Sequence, residues 1–267
     1  AAADGYDAMA CDNYQPSSNC RGCGVYRAGQ WVQLYADADR DPKYTADAIT
    51  WLRNFTALAH TVKSWAGKPM QVIPNSGGIP PKEVWSVPDA ILNEQGFTDW
   101  GREKPDEQTF LALVEYMVAL QRAGKAYYII DEWSAKTHSG GLDRAIRQWA
   151  VATYLMGKEN ASGVYISGEQ GYGEVMPQWP ELGAKIGRPL GAMHRHKPSG
   201  VYLRNYSSGL AIVNAANRSA TVRVESGYTD CYGAAVPATL SMGPQTGAVL
   251  LRHDAPTQSF APPAADI

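Results

Sequence analysis

Carboxylate and amide side chains recur in this sequence where short apolar runs end. Five runs end in this way, with Asp12 and Asn13, Asn75, Glu94, Asp131 and Glu132, and Glu169. In parallel β/α proteins, the carboxyl ends of several strands meet at one edge and build the active site there. The pattern therefore predicts one acidic site that is assembled from the ends of several strands.

Side-chain alternation along the first run indicates which way its acid points. Asp12 has the same parity as Ala8 and Ala10, whereas Met9 and Cys11 have the opposite parity. Small residues suit the crowded interior of a barrel, and bulky residues suit the side that is covered by helices. We therefore expect Asp12 to point toward the interior.

Two carboxylates that face one cavity are the minimum for glycoside hydrolysis. One donates a proton to the leaving oxygen, and the other attacks the anomeric carbon or activates water. Glu94 is the second candidate, although Ile91 and Leu92 are too alike in size to fix its direction. A single acid more often caps a helix or pairs with an arginine, but five strand ends in register favour a site. The spacing does not decide between retention and inversion.

Strands and helices alternate from residue 5 to about residue 170. We predict strands at residues 5–12, 70–74, 90–93, 127–130 and 164–167. Helical spacing of apolar residues predicts helices that begin at Thr45, Asp106 and Leu142, and a long loop precedes the first of them. Such alternation indicates parallel strands in a (β/α) TIM-type barrel or a doubly wound sheet.

The strand count points to an incomplete barrel. A closed barrel of this type has eight strands, whereas five are predicted here. An open parallel sheet would leave an unpaired edge, so we favour a barrel whose first strands lie outside this sequence. We expect an N-terminal segment or a partner chain to complete it, and we expect residues 1–267 alone to be inactive.

A second domain is predicted after the barrel portion. Residues 1–186 are assigned to the C-terminal part of the barrel, residues 187–254 to a small antiparallel β-sandwich and residues 255–267 to a loose tail. The sandwich assignment follows from short strands at 201–206, 210–214, 221–224, 239–242 and 247–252, separated by turn-rich segments.

The composition excludes some classes of function and favours another. The formal net charge is −2 and no lysine- and arginine-rich run occurs, which argues against a nucleic-acid partner. No stretch approaches ~20 consecutive apolar residues, so we expect no membrane span. The 15 Tyr and 8 Trp residues against 4 Phe suit either a sugar-binding surface or a tyrosine-rich core. Aromatic residues near the strand ends that could either stack on sugars or pack a loop are Tyr14, Trp100, Trp133 and Tyr172.

The cysteines do not predict a metal site. Cys20 and Cys23 have the spacing of half a zinc site, but no second pair or flanking histidines complete it. A local disulfide or an unpaired loop pair is the expectation. We predict no metal and no cofactor.

Two segments resemble a known family of enzymes. GYDAMACDNY at residues 5–14 and ILNEQGFTDWG at residues 91–101 are similar to the fourth- and sixth-strand motifs of endo-α-1,4-polygalactosaminidase-type glycoside hydrolases and related glycosidase-like barrel families. The segment from residue 187 to residue 252 resembles the β-sandwich that follows the barrel in several of these families. The resemblance covers nearly the whole chain and places the family's first three strands before residue 1.

The resemblance implies a role for each matching residue. Asp12 would be the nucleophile or base and Glu94 the general acid. By the resemblance, Asn13, Asn75 and Glu132 would contact substrate. Their positions near strand ends add further residues that are expected to bind substrate, namely Tyr14, Trp100, Asp131, Trp133 and Glu169. The sequence departs from the family at Gly96, where the polygalactosaminidase type often has Cys, and this departure weakens the substrate assignment more than the barrel assignment.

The sequence therefore predicts a glycosidase that acts on a polysaccharide or oligosaccharide and is secreted or on the cell surface. Export is inferred from the type of enzyme, because residues 1–4 lack the charged start and apolar run of a signal peptide. One alternative is a carbohydrate-binding protein on a barrel that no longer hydrolyses. Another is a surface-assembly protein that uses the sandwich for contacts.

Overall fold

The protein has a mixed α/β architecture with several separate β-sheets. The structure is a computed structural model that describes residues 4–16, 22–36, 41–131, 144–159, 161–167 and 179–252. The chain divides into two compact units. The first comprises Ala1–Gly141 and Lys158–Glu174, and the second comprises Leu142–Gly157 and Val175–Ile267.

The first unit contains seven strands and three helices among its described residues. The strands are β1 (Ala8–Cys11), β2 (Gly24–Arg27), β3 (Gln30–Gln33), β4 (Gln71–Pro74), β5 (Ala90–Asn93), β6 (Ala126–Asp131) and β7 (Ser162–Ile166). The helices are α1 (Pro42–His60), α2 (Lys82–Trp85) and α3 (Glu107–Arg122). The five strands predicted from the apolar runs are confirmed as β1, β4, β5, β6 and β7.

These five strands run parallel and follow one another in chain order. β1 pairs with β4, and β5, β6 and β7 form a three-stranded sheet. A parallel bridge between Asn75 and Leu92 joins the two groups, and the Ser76 amide donates to the Leu92 carbonyl at 2.9 Å. A doubly wound sheet would reverse its strand order, whereas a barrel would not. The described residues do not form a closed barrel.

Helix α1 covers one face of β1 and β4. Leu52 and Ala59 of the helix pack with Val72 of β4, and Met9 and Cys11 of β1 contact the same hydrophobic cluster. This arrangement confirms that the bulky residues of β1 face a helix. Asp12 follows directly after the carboxyl end of β1.

The predicted start of α1 at Thr45 is wrong by one turn. Asp41 is the N-cap, and its side chain accepts a hydrogen bond from the Lys43 amide at 2.8 Å. Pro42 occupies the first helical position, where its missing N–H costs nothing. The Asp-Pro pair was therefore the stronger start signal.

The loop predicted after Asp12 contains a β-hairpin. β2 and β3 pair antiparallel, and Ala28 and Gly29 between them have φ angles of 48° and 79°. Two central residues with positive φ are typical of the type I′ turns that match the twist of paired strands. The alternating pattern VYR-AG-QWV could have identified the hairpin.

The second unit consists of one helix and seven strands among its described residues. They are α4 (Arg144–Gly157), β8 (His194–Arg195), β9 (Tyr202–Tyr206), β10 (Gly209–Asn214), β11 (Ala220–Arg223), β12 (Tyr228–Asp230), β13 (Thr239–Met242) and β14 (Thr246–Arg252). The first sheet has the strand order β12-β14-β10-β9-β8, and β11 pairs with β13 in a second sheet. All these pairings are antiparallel, as predicted. Leu210, Val222 and Met242, from both sheets, share one hydrophobic cluster.

Helix α4 belongs to the second unit. Buried Arg204 donates to the carbonyls of Leu155 and Met156 at 3.0 Å each, and the Tyr206 hydroxyl donates to Leu155 at 2.6 Å. These side chains of β9 satisfy carbonyls in the last turn of the helix. The residue that we predicted as the end of the first domain, residue 186, also lies within this unit. The predicted tail 255–267 lies outside the described residues.

Candidate active site

Three neighbouring strand ends bring the predicted residues together. In the pairing of β1 with β4, Cys11 lies opposite Pro74, so the next residues, Asp12 and Asn75, are adjacent. Asn75 in turn bridges to Leu92, and Glu94 follows Leu92 on the same face of β5. Backbone hydrogen bonds hold Asn75 at this edge: its amide donates to Cys11 at 2.8 Å, and its carbonyl accepts from Tyr14 at 2.9 Å.

The amide of Asn75 bridges the two predicted catalytic carboxylates. Its Nδ2 atom donates to Oδ1 of Asp12 at 2.8 Å and to Oε2 of Glu94 at 2.8 Å. The two acceptor oxygens therefore lie no farther apart than twice this distance. Asn75 is buried, Glu94 is half-buried and Asp12 is exposed. The predicted convergence of Asp12, Asn75 and Glu94 is thus observed.

Asn13 completes the surroundings of Asp12. Its Nδ2 atom donates to Oδ2 of Asp12 at 2.9 Å, so both oxygens of Asp12 accept hydrogen bonds from amides. The backbone of Asn13 has a φ angle of 52°, in the left-handed region that asparagine tolerates better than most residues. Asp12 is therefore held as a hydrogen-bond acceptor on both sides.

The turn after Glu94 is held by hydrogen bonds to two buried polar side chains. Oδ1 of Asn93 accepts from the amides of Gln95 and Gly96, at 2.9 and 3.2 Å. Oδ1 of Asp131 accepts from the Phe97 amide at 2.9 Å and from the Thr98 hydroxyl at 2.7 Å. The path of the chain after β5 thus depends on side chains of β5 and β6.

The side chain of Asp131 is buried and is not exposed at the candidate site. The residue is only 2% exposed, and its Oδ2 atom is buried with no hydrogen-bond partner among the described residues. Burial raises the pKa of Asp131 to about 7, although hydrogen bonds from Thr98 and Phe97 oppose the shift. Asp131, which we predicted to bind substrate, contacts the turn that carries Glu94.

Trp100 lies beside the loop that follows Asn75. A Cβ atom added to Gly77 would be 3.7 Å from its ring, and the Arg102 guanidinium is 5.6 Å from the ring centre. Asp99 and Trp100 have φ angles of 47° and 53°, which are uncommon outside glycine. The chain therefore adopts a strained conformation that keeps this half-buried ring near the strand ends.

Tyr14 is a core residue in this structure. It is 7% exposed, and its hydroxyl donates to the Ala48 carbonyl of α1 at 3.0 Å. Its ring stacks on Trp51 with a centroid separation of 6.1 Å. The remaining residues that we predicted to bind substrate, Glu132, Trp133 and Glu169, lie outside the described residues.

A cleft of about 370 Å³ extends from Asp12 toward α1. Three aromatic residues that the sequence analysis did not select, Tyr35, Tyr44 and Trp51, line it together with Asp47. Tyr44, Asp47 and Trp51 are spaced so that they share one face of α1. The spacing of these three residues was a signal in the sequence for this side of the cleft. The sequence analysis missed it because the residues lie on the polar face of an amphipathic helix.

The described residues were also compared with the requirements of a disulfide, a metal site and a membrane span. Cys23 is disulfide-bonded, whereas Cys11 and Cys231 are free thiols. Within the described ranges, no group of three or more His, Cys, Asp or Glu side chains could hold a metal ion. None of the described helices is long and apolar enough to cross a membrane.

Comparison with known proteins gives distant structural likenesses. No protein-family model matches the sequence, and no curated protein matches it. The gamma-CGTase of alkalophilic Bacillus clarkii is 11% identical with a TM-score of 0.45, over 93% of this chain and 54% of that one. An alpha-amylase from Lactobacillus plantarum is 13% identical with a TM-score of 0.39, over 86% and 72%.

The cyclic alpha-maltosyl-(1→6)-maltose hydrolase of Arthrobacter globiformis is 15% identical, with a TM-score of 0.36 over 75% of this chain and 52% of that one. The chain thus spans about half the length of the first and third of these structures. All three TM-scores lie below 0.5.

Proposed function

We propose that this protein is a glycoside hydrolase that cleaves a polysaccharide or oligosaccharide with Asp12 and Glu94. The observation that carries the proposal is the bridge from Asn75 to both carboxylates, at 2.8 Å each. Two acids from adjacent strand ends that share one amide donor are placed to act on the two sides of one bond.

The short separation of the acids supports a retaining mechanism. Their bridged oxygens lie within twice 2.8 Å of each other. Retaining enzymes hold their carboxyl groups about 5–5.5 Å apart, whereas inverting enzymes need about 6.5–9.5 Å to admit a water molecule. Asp12 is therefore assigned as the nucleophile rather than as a base.

In the first step, an Asp12 oxygen attacks the anomeric carbon while Glu94 donates its proton to the departing glycosidic oxygen. This step forms a glycosyl ester on Asp12 and releases the shortened chain as an alcohol. In the second step, Glu94 takes a proton from water, which displaces Asp12 from the anomeric carbon. Both side chains then return to their starting states, and the net reaction is hydrolysis.

Asn75 contributes position rather than chemistry. Its two N–H groups each hold one acid, so the relative placement of the carboxylates depends on one buried side chain. Fixed geometry of this kind lowers the entropic part of the activation barrier for hydrolysis, because the reacting groups are already oriented.

The finer assignment, to the polygalactosaminidase type, rests on the motifs at residues 5–14 and 91–101. Gly96 departs from that type, and its surroundings leave no room for a larger residue. A Cβ atom there would lie 2.6 Å from Oδ1 of Asp131. We therefore include a galactosamine polymer in the substrate screen without restricting the screen to it.

The test is a screen of the natural full-length protein against soluble α- and β-linked glucans, galactans, chitosan and poly-α-1,4-galactosamine. We expect one class to release reducing ends, and Asp12→Asn and Glu94→Gln each to lower the rate at least about 100-fold. The first product, followed by proton NMR, should keep the anomeric configuration of the substrate. Equal turnover by wild type and both variants would overturn the proposal, and an inverted first product would overturn the role of Asp12 as nucleophile.

A further inference from the structure

The cleft between the end of β1 and helix α1 has the composition of a sugar-binding subsite. Its volume of about 370 Å³ lies within the range of about 300–1,000 Å³ that is typical of small-molecule sites. Asp12 and Asn13 form one end, and Tyr35, Tyr44 and Trp51 line the walls. Trp51 is 48% exposed, and it stacks on Phe55 with a centroid separation of 5.0 Å and on Tyr14 with one of 6.1 Å.

Asp47 is held inside this cleft with one oxygen available. The Lys43 ammonium at 2.9 Å and the Tyr35 hydroxyl at 3.1 Å both donate to its Oδ2 atom. The hydrogen bond from Lys43, followed by that from Tyr35, lowers the pKa of Asp47. An ionised carboxylate in a fixed orientation can accept hydrogen bonds from neighbouring sugar hydroxyls through Oδ1.

The aromatic walls are fixed in the same way. Lys43 lies 4.5 Å from the centre of the Tyr35 ring, and Tyr35 meets Tyr44 edge to face with centroids 5.1 Å apart. Ordered aromatic rings present flat apolar faces to the C–H groups of a pyranose at a small cost in conformational entropy. The cleft therefore offers both kinds of contact that a sugar ring requires.

The position of the cleft indicates which part of a substrate it would hold. Asp12 lines it, whereas Asn75 and Glu94 do not. In the proposed reaction, Glu94 acts on the oxygen of the leaving group and Asp12 acts on the anomeric carbon. A sugar in the cleft would thus belong to the part of the substrate that becomes attached to Asp12.

We infer that this cleft, defined by Tyr35, Tyr44, Asp47 and Trp51, is a subsite for a non-acidic pyranose on the glycone side of the cleaved bond. The inference rests on the proposed function and names the part of the substrate that the site selects. Acidic sugars are excluded because their carboxylates would face those of Asp12 and Asp47.

The test compares substrates with one and with two sugar rings ahead of the same leaving group. Matched 4-nitrophenyl monosides and biosides of glucose, galactose and N-acetylglucosamine, in both anomeric forms, are assayed with the natural full-length protein. We expect kcat/KM to be at least about tenfold higher for one bioside than for its monoside, because contacts to the remote ring act at the transition state.

Two variants and two controls assign this preference to the cleft. Asp47→Asn, which keeps its shape, and Tyr44→Ala should each reduce the bioside-to-monoside ratio by about tenfold. The controls Glu115→Gln, on the exposed face of α3, and Tyr6→Ala, at the opposite end of β1, should leave the ratio unchanged. A wild-type ratio near one, or a ratio that neither cleft variant alters, would overturn the inference.

Failure of the proposed function gives a different result. If the wild type hydrolyses no pair and releases no reducing ends in the polysaccharide screen, the hydrolase proposal fails, and the cleft is tested by binding instead. Maltose, cellobiose and N,N′-diacetylchitobiose are then titrated into the wild type by calorimetry. Binding that Tyr44→Ala abolishes would support the subsite, and the absence of binding by all three disaccharides would overturn it.

Discussion

The side-chain nitrogen of Asn75 lies 2.8 Å from Oδ1 of Asp12, although the two residues are 63 positions apart in the sequence. Parallel pairing of β1 with β4 brings them together, and the same nitrogen reaches Glu94 on the next strand. The site therefore depends on a single buried amide at the middle one of three strand ends.

Replacing Asn75 tests this dependence. Asn75→Ala should lower kcat/KM by about 100-fold on the substrate that the screen identifies, because both carboxylates lose a donor that fixes their position. Asn54→Ala, on an exposed part of α1, serves as the control and should retain wild-type activity. The account would be contradicted by a folded Asn75→Ala protein, verified by its melting temperature, with wild-type kcat/KM.

Gly96 should tolerate no side chain. Its φ angle is +64°, and an added Cβ would lie 2.6 Å from Asp131 and 2.7 Å from the Ile130 carbonyl. Gly124 has a φ angle of +75° but open space around its Cβ position. Gly124→Ala should therefore lower the free energy of unfolding by about 1–2 kcal/mol from backbone strain alone. Gly96→Ala should lower it by about 1–3 kcal/mol more, from overpacking. Equal losses in urea denaturation would show that the contact with Asp131 is unimportant.

Burial of Asp131 predicts a pH-dependent stability. Its folded-state pKa of about 7 lies above the ordinary aspartate value, so the folded protein holds a proton that the unfolded chain releases. The stability that this protonated form provides is complete below about pH 4 and is lost as the pH rises toward 7. Each unit of the shift corresponds to about 1.4 kcal/mol.

The variant Asp131→Asn isolates this effect, because it cannot titrate and the other ionisable groups are shared. Between pH 4 and 7, the free energy of unfolding of the wild type should fall relative to that of Asp131→Asn. Parallel stability curves for the two proteins over this range would refute the raised pKa.

A buried ion pair in the second unit should contribute far more than an exposed one. Glu181 and Arg147 have side chains that are 0% and 11% exposed, and Nε of Arg147 lies 3.3 Å from Oε1 of Glu181. Glu181→Gln removes the buried negative charge of this pair and should lower the free energy of unfolding by about 3–5 kcal/mol. In the exposed pair of Arg252 with Glu225, Glu225→Gln should cost less than about 1 kcal/mol. Similar melting temperatures for the two variants would contradict this difference.

The residues of the candidate pair could be found from the sequence because strands end where apolar runs end. Asp12, Asn75 and Glu94 each follow such a run, and parallel pairing places consecutive strand ends side by side. Side-chain alternation also identified Met9 and Cys11 as the residues that face a helix. These conclusions required only the ends of the apolar runs and the alternation of side chains along a strand.

Other features depend on contacts that a period does not encode. The apolar face of α4 predicts a helix, but it does not reveal that Arg204 and Tyr206 bind the end of that helix within the second unit. Asp131 also follows an apolar run, yet it is buried because the turn at Phe97 and Thr98 folds over it. Tertiary packing decides both outcomes.

The leaving-group dependence of the two acid variants tests the central claim most directly. A good leaving group departs without a proton, whereas a sugar leaving group requires one from Glu94. The burst of dinitrophenolate and the steady-state rates of Glu94→Gln and Asp12→Asn should therefore be measured on a 2,4-dinitrophenyl glycoside, and the rates also on an oligosaccharide of the same sugar. We predict that Glu94→Gln releases a first equivalent of dinitrophenolate at close to the wild-type rate but turns over slowly, because the second step lacks its base. Glu94→Gln should lose activity on the oligosaccharide, and Asp12→Asn should show no burst and lose both activities. The account would be contradicted if Glu94→Gln showed no burst, or if either variant kept wild-type activity on the oligosaccharide.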